Sequence, residues 1–408
     1  MHRTSLALFA AAALCAQAAA QAQPAVEPTP LAKAFEAAWA RQPEARALDA
    51  RRDAADAGVR AARQWTPEAP ALEIVHKTDR VARNEGVREW ELGVALPLWL
   101  PGERSRSMAL ADAERAALGA RTAAVRLRVA GELREAWWPW MRAQVEAALA
   151  HDQLASARAL ADDVARRLRA GDLARADAVQ AEGAVAAAEA AVAQADQALA
   201  EARLRWQALT GAPPEAQQER PEPLPDALGA APPHPALEEL RQRMESAQRS
   251  AELARIQTRA NPELTLSATR DRGSFEERPQ NGLNVALRLP FGGGPRHDAK
   301  AAAALAEATE AEARLALETT RLAAEGEAAR SRVAAQRMQR DAADRRARLA
   351  QESRGFFDKS FRLGETDLPT RLRIEREAME AQRQAARSRI DLAAAISQWR
   401  QALGLLPQ

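Results

Sequence analysis

The sequence predicts a mainly α-helical protein with a small β part, built from two copies of one structural unit. Long stretches rich in Ala, Leu, Glu, Arg and Gln contain almost no proline, which is typical of long packed helices. Two pairs of short segments with alternating polarity interrupt these helices. Landmarks of the first half recur in the same order about 193 residues later. We therefore expect duplicated long helical hairpins and four β-strands per chain.

Composition and charge exclude several classes of function. The 408 residues include 58 basic and 56 acidic side chains, and the two signs are interleaved. This balance is typical of solvated helix surfaces and predicts no binding of nucleic acid. The five histidines are scattered without ligand spacing, and the sequence offers no nucleophile–base pair. We therefore expect no metal site, no cofactor and no enzymatic activity.

Residues 1–20 have the pattern of a secretory signal peptide. A short basic start precedes an apolar run, and small residues suited to cleavage follow it. The only cysteine, Cys15, lies in this segment; whether it is lipidated stays open, because the bulky Leu14 precedes it. No later apolar run reaches the about 18 residues of a membrane-spanning helix. Any membrane crossing would therefore use β-strands.

The first structural repeat should contain a broken helix, a β-hairpin and two long helices. Helical spacing is interrupted near Pro43, and alternating residues then predict two short strands. Gly171 can end a long helix in the left-handed conformation and Asp172 can cap the next one, which predicts an αα-hairpin. The expected bounds are 21–212 for the repeat, about 70–98 for the β-hairpin, and 103–170 and 172–211 for the long helices.

A Pro-rich linker and a second repeat should complete the chain. Gly364 and Gly404 stand where Gly171 and Gly211 stand in the first repeat, so the hairpin and the helix end recur. The expected bounds are 213–235 for the linker, 236–408 for the repeat, about 263–291 for its β-hairpin, and 296–363 and 367–404 for its long helices.

A tryptophan cluster surrounds Pro139 within the first long helical stretch. Trp137, Trp138 and Trp140 would either fill a widened packing region where the proline kinks or breaks the helix, or form a docking patch. We favour the packing interpretation.

The predicted strands present one apolar face and one polar face. This alternation suits a membrane barrel with lipid outside and water inside, although a half-buried soluble sheet gives the same pattern. Four strands cannot close a barrel, and lipid does not tolerate open sheet edges, so several chains would have to share one barrel. The expected lipid-facing residues are Trp90, Leu92, Val94, Leu96, Leu266, Leu283, Val285, Leu287 and Leu289.

The chain resembles the TolC-like outer-membrane efflux factors of Gram-negative bacteria. The resemblance rests on the duplicated element order, on the turn from Arg169 through Gly171 to Asp177, and on the Ala-Leu-(Thr)-Gly endings at Gly211 and Gly404. It implies a homotrimer with a twelve-stranded outer-membrane barrel and a periplasmic α-barrel of about 100 Å. It also implies a passive exit duct that docks onto a periplasmic adaptor (membrane fusion) protein and an inner-membrane pump of the resistance-nodulation-division type.

The same resemblance assigns the two hairpin tips to the periplasmic entrance and the adaptor contact. The docking residues it implies are Arg169, Gly171, Asp177, Gly364 and Asp367. An acidic residue is expected six positions after each tip glycine, but the second tip has a threonine there. The residues that would set the entrance electrostatics are Thr370, Arg371 and Arg373, with Asp367 as a substitute acid. Asp177 also has a simpler interpretation, as a first-turn acid that favours the helix dipole.

The exported substrate and one competing function stay open at this point. The segment from Leu96 to Arg104 and the Trp-rich helix resemble the heavy-metal cation efflux branch of the family. The competing function is a periplasmic coiled-coil adaptor or scaffold. Such a protein would have one long hairpin between small β-rich domains, whereas this sequence predicts two hairpins and two strand pairs.

Overall fold

A computed structural model describes residues 30–81, 83–214, 221–225, 233–292 and 294–408. The expected signal peptide, with Cys15, and much of the expected linker lie outside these residues. The helices are α1 (Pro30–Arg41), α2 (Pro43–Arg46), α3 (Leu48–Ala62), α4 (Glu103–Ala170), α5 (Arg175–Thr210), α6 (Pro235–Ile256), α7 (Gly294–Arg362) and α8 (Leu368–Ala402). The strands are β1 (Ala71–Thr78), β2 (Arg88–Pro97), β3 (Glu263–Arg272) and β4 (Gln280–Arg288).

The same order of elements occurs twice along the chain. A helical segment leads into two antiparallel strands, and a long helix then reverses into a second long helix. α4 packs against α5 and α7 against α8, and the two hairpins meet through α4 and α8. Within the described residues, none of the helices combines the length and the apolar character that crossing a membrane requires.

The tryptophan cluster lies in the main core. α4 continues through Pro139 as one helix, so the proline does not break it. Trp137, Trp138 and Trp140 are each less than a tenth exposed, and the Trp137 ring lies 5.1 Å from that of Trp206 on α5. This burial agrees with the packing interpretation and leaves no exposed docking patch at these three side chains.

The four strands form one antiparallel sheet in the order β1-β2-β3-β4. Strands from the two halves of the chain meet at its centre, where β2 pairs with β3 and Val94 stands opposite Leu266. The register keeps apolar residues in line across the sheet, with Leu72 beside Val94 and Val285 beside Leu266. β1 and β4 are the two edge strands, each paired on one side only within the chain.

The final glycine of each repeat lies against a residue at one end of a helix in the same repeat. Gly211 and Gly404 both have positive φ, of 83° and 76°, which favours glycine. A Cβ atom at Gly211 would lie 2.7 Å from Nη1 of Arg41, and one at Gly404 would lie 2.6 Å from Cδ of Pro235. Backbone conformation therefore favours glycine at both positions, and at Gly404 the ring of Pro235 also leaves no space for a side chain.

Candidate functional site

The first hairpin tip is closed by backbone hydrogen bonds. Gly171 has a φ of 90°, its amide donates to the Leu168 carbonyl over 3.1 Å, and the Asp172 amide donates to the Arg167 carbonyl over 2.9 Å. The expectation that Asp172 caps the next helix is wrong. Leu173 packs onto a small apolar cluster, and α5 begins only after Ala174.

Asp177 takes over the capping role at this tip. It lies in the first turn of α5, and its Oδ2 accepts a hydrogen bond of 3.0 Å from the Ala174 amide. The carboxylate thus lies at the positive end of the helix dipole and satisfies a free amide. This contact gives Asp177 a local structural role, and a role in docking stays a proposal.

At the second tip, the capping acid is the N-cap residue itself. Gly364 has a φ of 76°, and α8 starts after Asp367, whose Oδ1 accepts a hydrogen bond of 3.0 Å from the Thr370 amide. Interactions with the Thr370 side chain and amide lower the pKa of the Asp367 carboxyl. In the repeat alignment, Asp367 stands where Ala174 stands and Thr370 where Asp177 stands. Each helix start therefore has one capping acid, at opposite ends of a capping box.

Between the tips, two arginines enclose one buried aromatic ring. The guanidinium carbons of Arg167 and Arg371 lie 4.9 and 4.7 Å from the ring centre of Phe361, which is only 2% exposed. Arg371 also forms an ion pair of 2.6 Å with Asp358. Cation–π contacts of desolvated arginines contribute to packing. Arg371 therefore joins α8 to α7 within the second hairpin, while Arg167 of α4 joins the first hairpin to the second, and tip spacing in the sequence indicated neither role.

The remaining tip residues lie at the surface. Arg169 is exposed and its Nε donates to the Ala165 carbonyl over 3.3 Å, while Arg373 is exposed and pairs with Glu377 at 2.7 Å. A cleft of about 1110 Å³ opens between the two hairpins beside these tips, with Asp163, Arg354 and Glu375 among its lining residues. The tips thus present a mixed-charge surface next to a groove.

The apolar face of the sheet contains eight of the nine residues expected to face lipid. The ninth, Leu289, lies one residue beyond the end of β4, so it is not a strand residue. Leu92, Leu283 and Val285 are 55, 84 and 70% exposed. The described part of the chain does not cover these apolar side chains, and their exposure to water is unfavourable.

The opposite face of the sheet is polar. Glu73, Gly93, Ser267 and Asn284 lie in line across the four strands. The Ser267 hydroxyl donates to Oε1 of Glu91 over 2.6 Å. The sheet therefore has one face suited to hydrocarbon and one suited to water.

A buried carboxylate fixes the sheet to the helices. Glu103, at the start of α4, is 2% exposed and accepts hydrogen bonds from the Leu100 amide (2.9 Å), from Gln257 (2.8 Å) and from Asn261 (2.7 Å). Lys300 of α7 in turn donates to Gln257 over 2.6 Å. Because buried acceptors need partners, this network sets how α4, α6 and α7 meet the sheet.

A second buried charge cluster holds the segment between the repeats. Both oxygens of Glu222 accept from Arg134 of α4, over 2.9 and 2.7 Å, and Arg400 of α8 lies 3.3 Å away. All three side chains are at most 3% exposed. Burial lowers the pKa of Arg400, and so does Arg134, while Glu222 raises it. The sequence indicated only a linker here, because nothing local marks Glu222 as buried.

No group of three or more His, Cys, Asp or Glu side chains is placed to hold a metal ion in the part of the chain that the structure describes.

Comparisons with known proteins agree with this architecture. Residues 34–212 match the family described as "Outer membrane efflux protein". No curated protein sequence matches the chain significantly.

Several solved structures share the fold. The outer membrane protein VceC of Vibrio cholerae is 18% identical, with a TM-score of 0.74 over 93% of this chain and 97% of that one. A membrane protein of Pseudomonas aeruginosa is 19% identical, with a TM-score of 0.75 over 92 and 94%. The MtrE outer membrane channel of Neisseria gonorrhoeae is 16% identical, with a TM-score of 0.70 over 93 and 89%.

These likenesses confirm the resemblance on which the sequence analysis rests: residues 34–212 are similar to the outer membrane efflux protein family, and the chain has the fold of solved outer-membrane channels.

Proposed function

We propose that this protein is the outer-membrane exit duct of a tripartite efflux system. Three copies form a channel that conducts substrate passively from an inner-membrane pump of the resistance-nodulation-division type and a periplasmic adaptor to the outside. The observation that carries the proposal is the four-stranded sheet, which joins an exposed apolar face and a polar face to two long helical hairpins. The family match over residues 34–212 supports an efflux channel.

The apolar face has the height that an outer membrane requires. Trp90 lies near its outer end, where the His76 ring stacks on it at 4.0 Å, and Trp99 follows two residues after the inner end of β2. The nine residue steps from Trp90 to Trp99, at about 3.3 Å each, correspond to about 23 Å across the membrane at a strand tilt of about 40°. A barrel's apolar band is about 25 Å tall, with aromatic residues at both boundaries. The sheet therefore suits a membrane-spanning position.

The two edge strands favour a shared barrel. The outer edges of β1 and β4 have no neighbour within the described chain, and such edges cannot stay open in lipid. Pairing β1 of one copy with β4 of the next would close them, and three copies would supply twelve strands. The helical hairpins, with α4 at 68 residues, would then extend about 100 Å into the periplasm.

We assign the adaptor contact to the tips, with Arg169, Asp177 and the turn glycines Gly171 and Gly364 at the surface. The groove between the hairpins offers a place for a partner helix beside them. Because Arg371 is engaged with Asp358, the charge at the second entrance position is partly neutralised. Arg373 is likewise paired, with Glu377, so the entrance electrostatics would depend on these ion pairs and on the neutral Thr370 between the tip and them.

A heavy-metal cation is our first candidate for the exported substrate, because the segment from Leu96 to Arg104 and the Trp-rich helix resemble the metal-efflux branch. Acids at Glu73 and Glu91 on the polar face of the sheet suit the passage of cations. A periplasmic adaptor or scaffold is less favoured, since an adaptor needs neither two hairpins nor an exposed apolar sheet face.

Fractionation of cells tests the location directly. The protein should cofractionate with outer membranes and run as a heat-modifiable oligomer on a gel. A soluble monomer in the periplasm would contradict the channel function and favour the scaffold function.

Substitutions at Asp177 separate docking from helix capping. Asp177→Asn keeps an oxygen that accepts from the Ala174 amide but removes the charge, whereas Asp177→Ala removes both. If the charge contacts the adaptor, both variants should lower crosslinking to it about three- to tenfold, because an exposed charge contact contributes about 1 kcal/mol. Asp172→Asn is the control, since Asp172 is exposed and caps no helix. Wild-type crosslinking and efflux in Asp177→Asn would leave capping as the only role.

A further inference from the structure

A small cleft lies where the sheet meets the helices, far from the hairpin tips. Its walls come from the turn before α4, the end of α6 and the segment that leads into α7, and its volume is about 270 Å³. Pro101 and Phe291 form an apolar wall, while Thr258 and Arg259 form a polar one. A threonine, an arginine and a phenylalanine therefore line the same cleft.

Several arginines at this junction form no ion pair among the residues that the structure describes. Arg259 is exposed and takes part in no ion pair among the described residues. Arg104 donates a hydrogen bond of 2.6 Å to the Arg63 carbonyl. Neither the Arg104 nor the Arg63 guanidinium has a carboxylate partner in the described part of the chain. Glu103, the buried acid at the start of α4, is already occupied by its three donors. The junction thus offers guanidinium groups that suit an anion.

The neighbouring surface is suited to hydrocarbon. Phe291 is 95% exposed and Trp65 is 91% exposed, and both lie in segments that border the junction. Trp99 is fixed there by a hydrogen bond of 3.2 Å from its Nε1 to the Gln64 carbonyl. A free inorganic anion would leave these rings in water, whereas a phospholipid would cover them with its acyl chains.

We propose that this junction binds an anionic phospholipid, with the phosphate at Arg259 and Thr258 and the acyl chains against Phe291. The proposal rests on the outer-membrane function proposed above, because the apolar face of the sheet begins next to the cleft. It adds a lipid site to that function and places the site at the periplasmic boundary of the membrane.

Lipid titration of the purified full-length protein tests the site. Delipidated protein in detergent is titrated with phosphatidylglycerol or with phosphatidylcholine of the same chains, and native mass spectrometry measures retained lipid. The wild type should bind phosphatidylglycerol about fivefold more tightly, the preference expected from one arginine near a lipid phosphate. Arg259→Gln should lose this preference. Arg345→Gln, which removes an exposed and unpaired arginine from the shaft of α7, should keep it.

Three outcomes would overturn the site: equal binding of the two lipids by the wild type, an unchanged preference in Arg259→Gln, or displacement of phosphatidylglycerol by excess inorganic phosphate, which indicates a free-anion site.

Fractionation distinguishes failure of the lipid site from failure of the proposed function. The wild type and Arg259→Gln should both reach the outer membrane, because the strands are unchanged. Absence of the wild type from that membrane defeats the channel itself, whatever the lipid result.

Discussion

Replacing Glu222 with alanine should destabilise the folded protein by about 3–5 kcal/mol, because it leaves two buried arginines without a counter-charge. Arg134 and Arg400 come from different repeats, and both contact Glu222 in a site that excludes water. In the variant they would face each other unpaired. The segment around Pro223, which accepts a hydrogen bond of 3.1 Å from Arg400, should also detach.

Urea unfolding of the purified protein, followed by circular dichroism, measures this loss. The matched control is Glu189→Ala, which breaks an ion pair of 2.8 Å with Arg158 on the helix surface. Both partners there are more than half exposed, so its loss should cost less than about 1 kcal/mol. Equal midpoints for the two variants would show that the buried cluster does not hold the repeats together.

Replacing Val285 with arginine should prevent assembly in the outer membrane, whereas the same change at Asn284 should not. The two residues are neighbours on β4, but Val285 is on the apolar face and Asn284 on the polar face. An arginine facing the middle of a bilayer costs about 2–4 kcal/mol. A trimer would carry that cost three times.

Heat-modifiable oligomer in the outer-membrane fraction is the quantity to compare between Val285→Arg and Asn284→Arg. Because both variants place the same side chain in the same strand, general effects on synthesis and strand propensity cancel. Similar yields of oligomer from the two variants would contradict a lipid-facing role for the apolar face.

The long elements of this protein could be predicted because their signals are local. A few residues suffice to show the alternation of β3 and β4 and the turn glycines Gly171 and Gly364. The elements occur along the chain in the expected order. The same alternation indicates which side chains share a face, since a slip by one residue would move Val94, Leu266 or Val285 to the opposite face.

The buried charge contacts could not be predicted in the same way. Glu222 lies in a Pro-rich segment whose composition is typical of exposed linkers, and its partner Arg134 is 88 positions away. Glu103 likewise looks like an ordinary first-turn acid until Gln257 and Asn261 reach it. Such contacts depend on how distant helices pack, which single-sequence periodicity does not contain.

The cap of the first tip was predicted wrongly for a different reason. Asp172 has the right chemistry for an N-cap, but the reversal extends two residues further, to an N-cap at Ala174, and Leu173 packs on the apolar cluster. The capping acid then comes from Asp177 in one tip and from Asp367 in the other. The absence of an acid at Thr370 is therefore compensated locally, at the helix start.

Disulfide crosslinking between β1 and β4 tests the shared barrel most directly. Within one chain these edge strands are three strand spacings apart, about 14 Å, which exceeds the reach of a disulfide. With one cysteine fixed at Asn284 and a second scanned through β1 from Ala71 to Thr78, oxidation in native membranes should give covalent trimers at one register. Monomers throughout the scan, or ladders that stop at dimers, would contradict a barrel built from three copies of this chain.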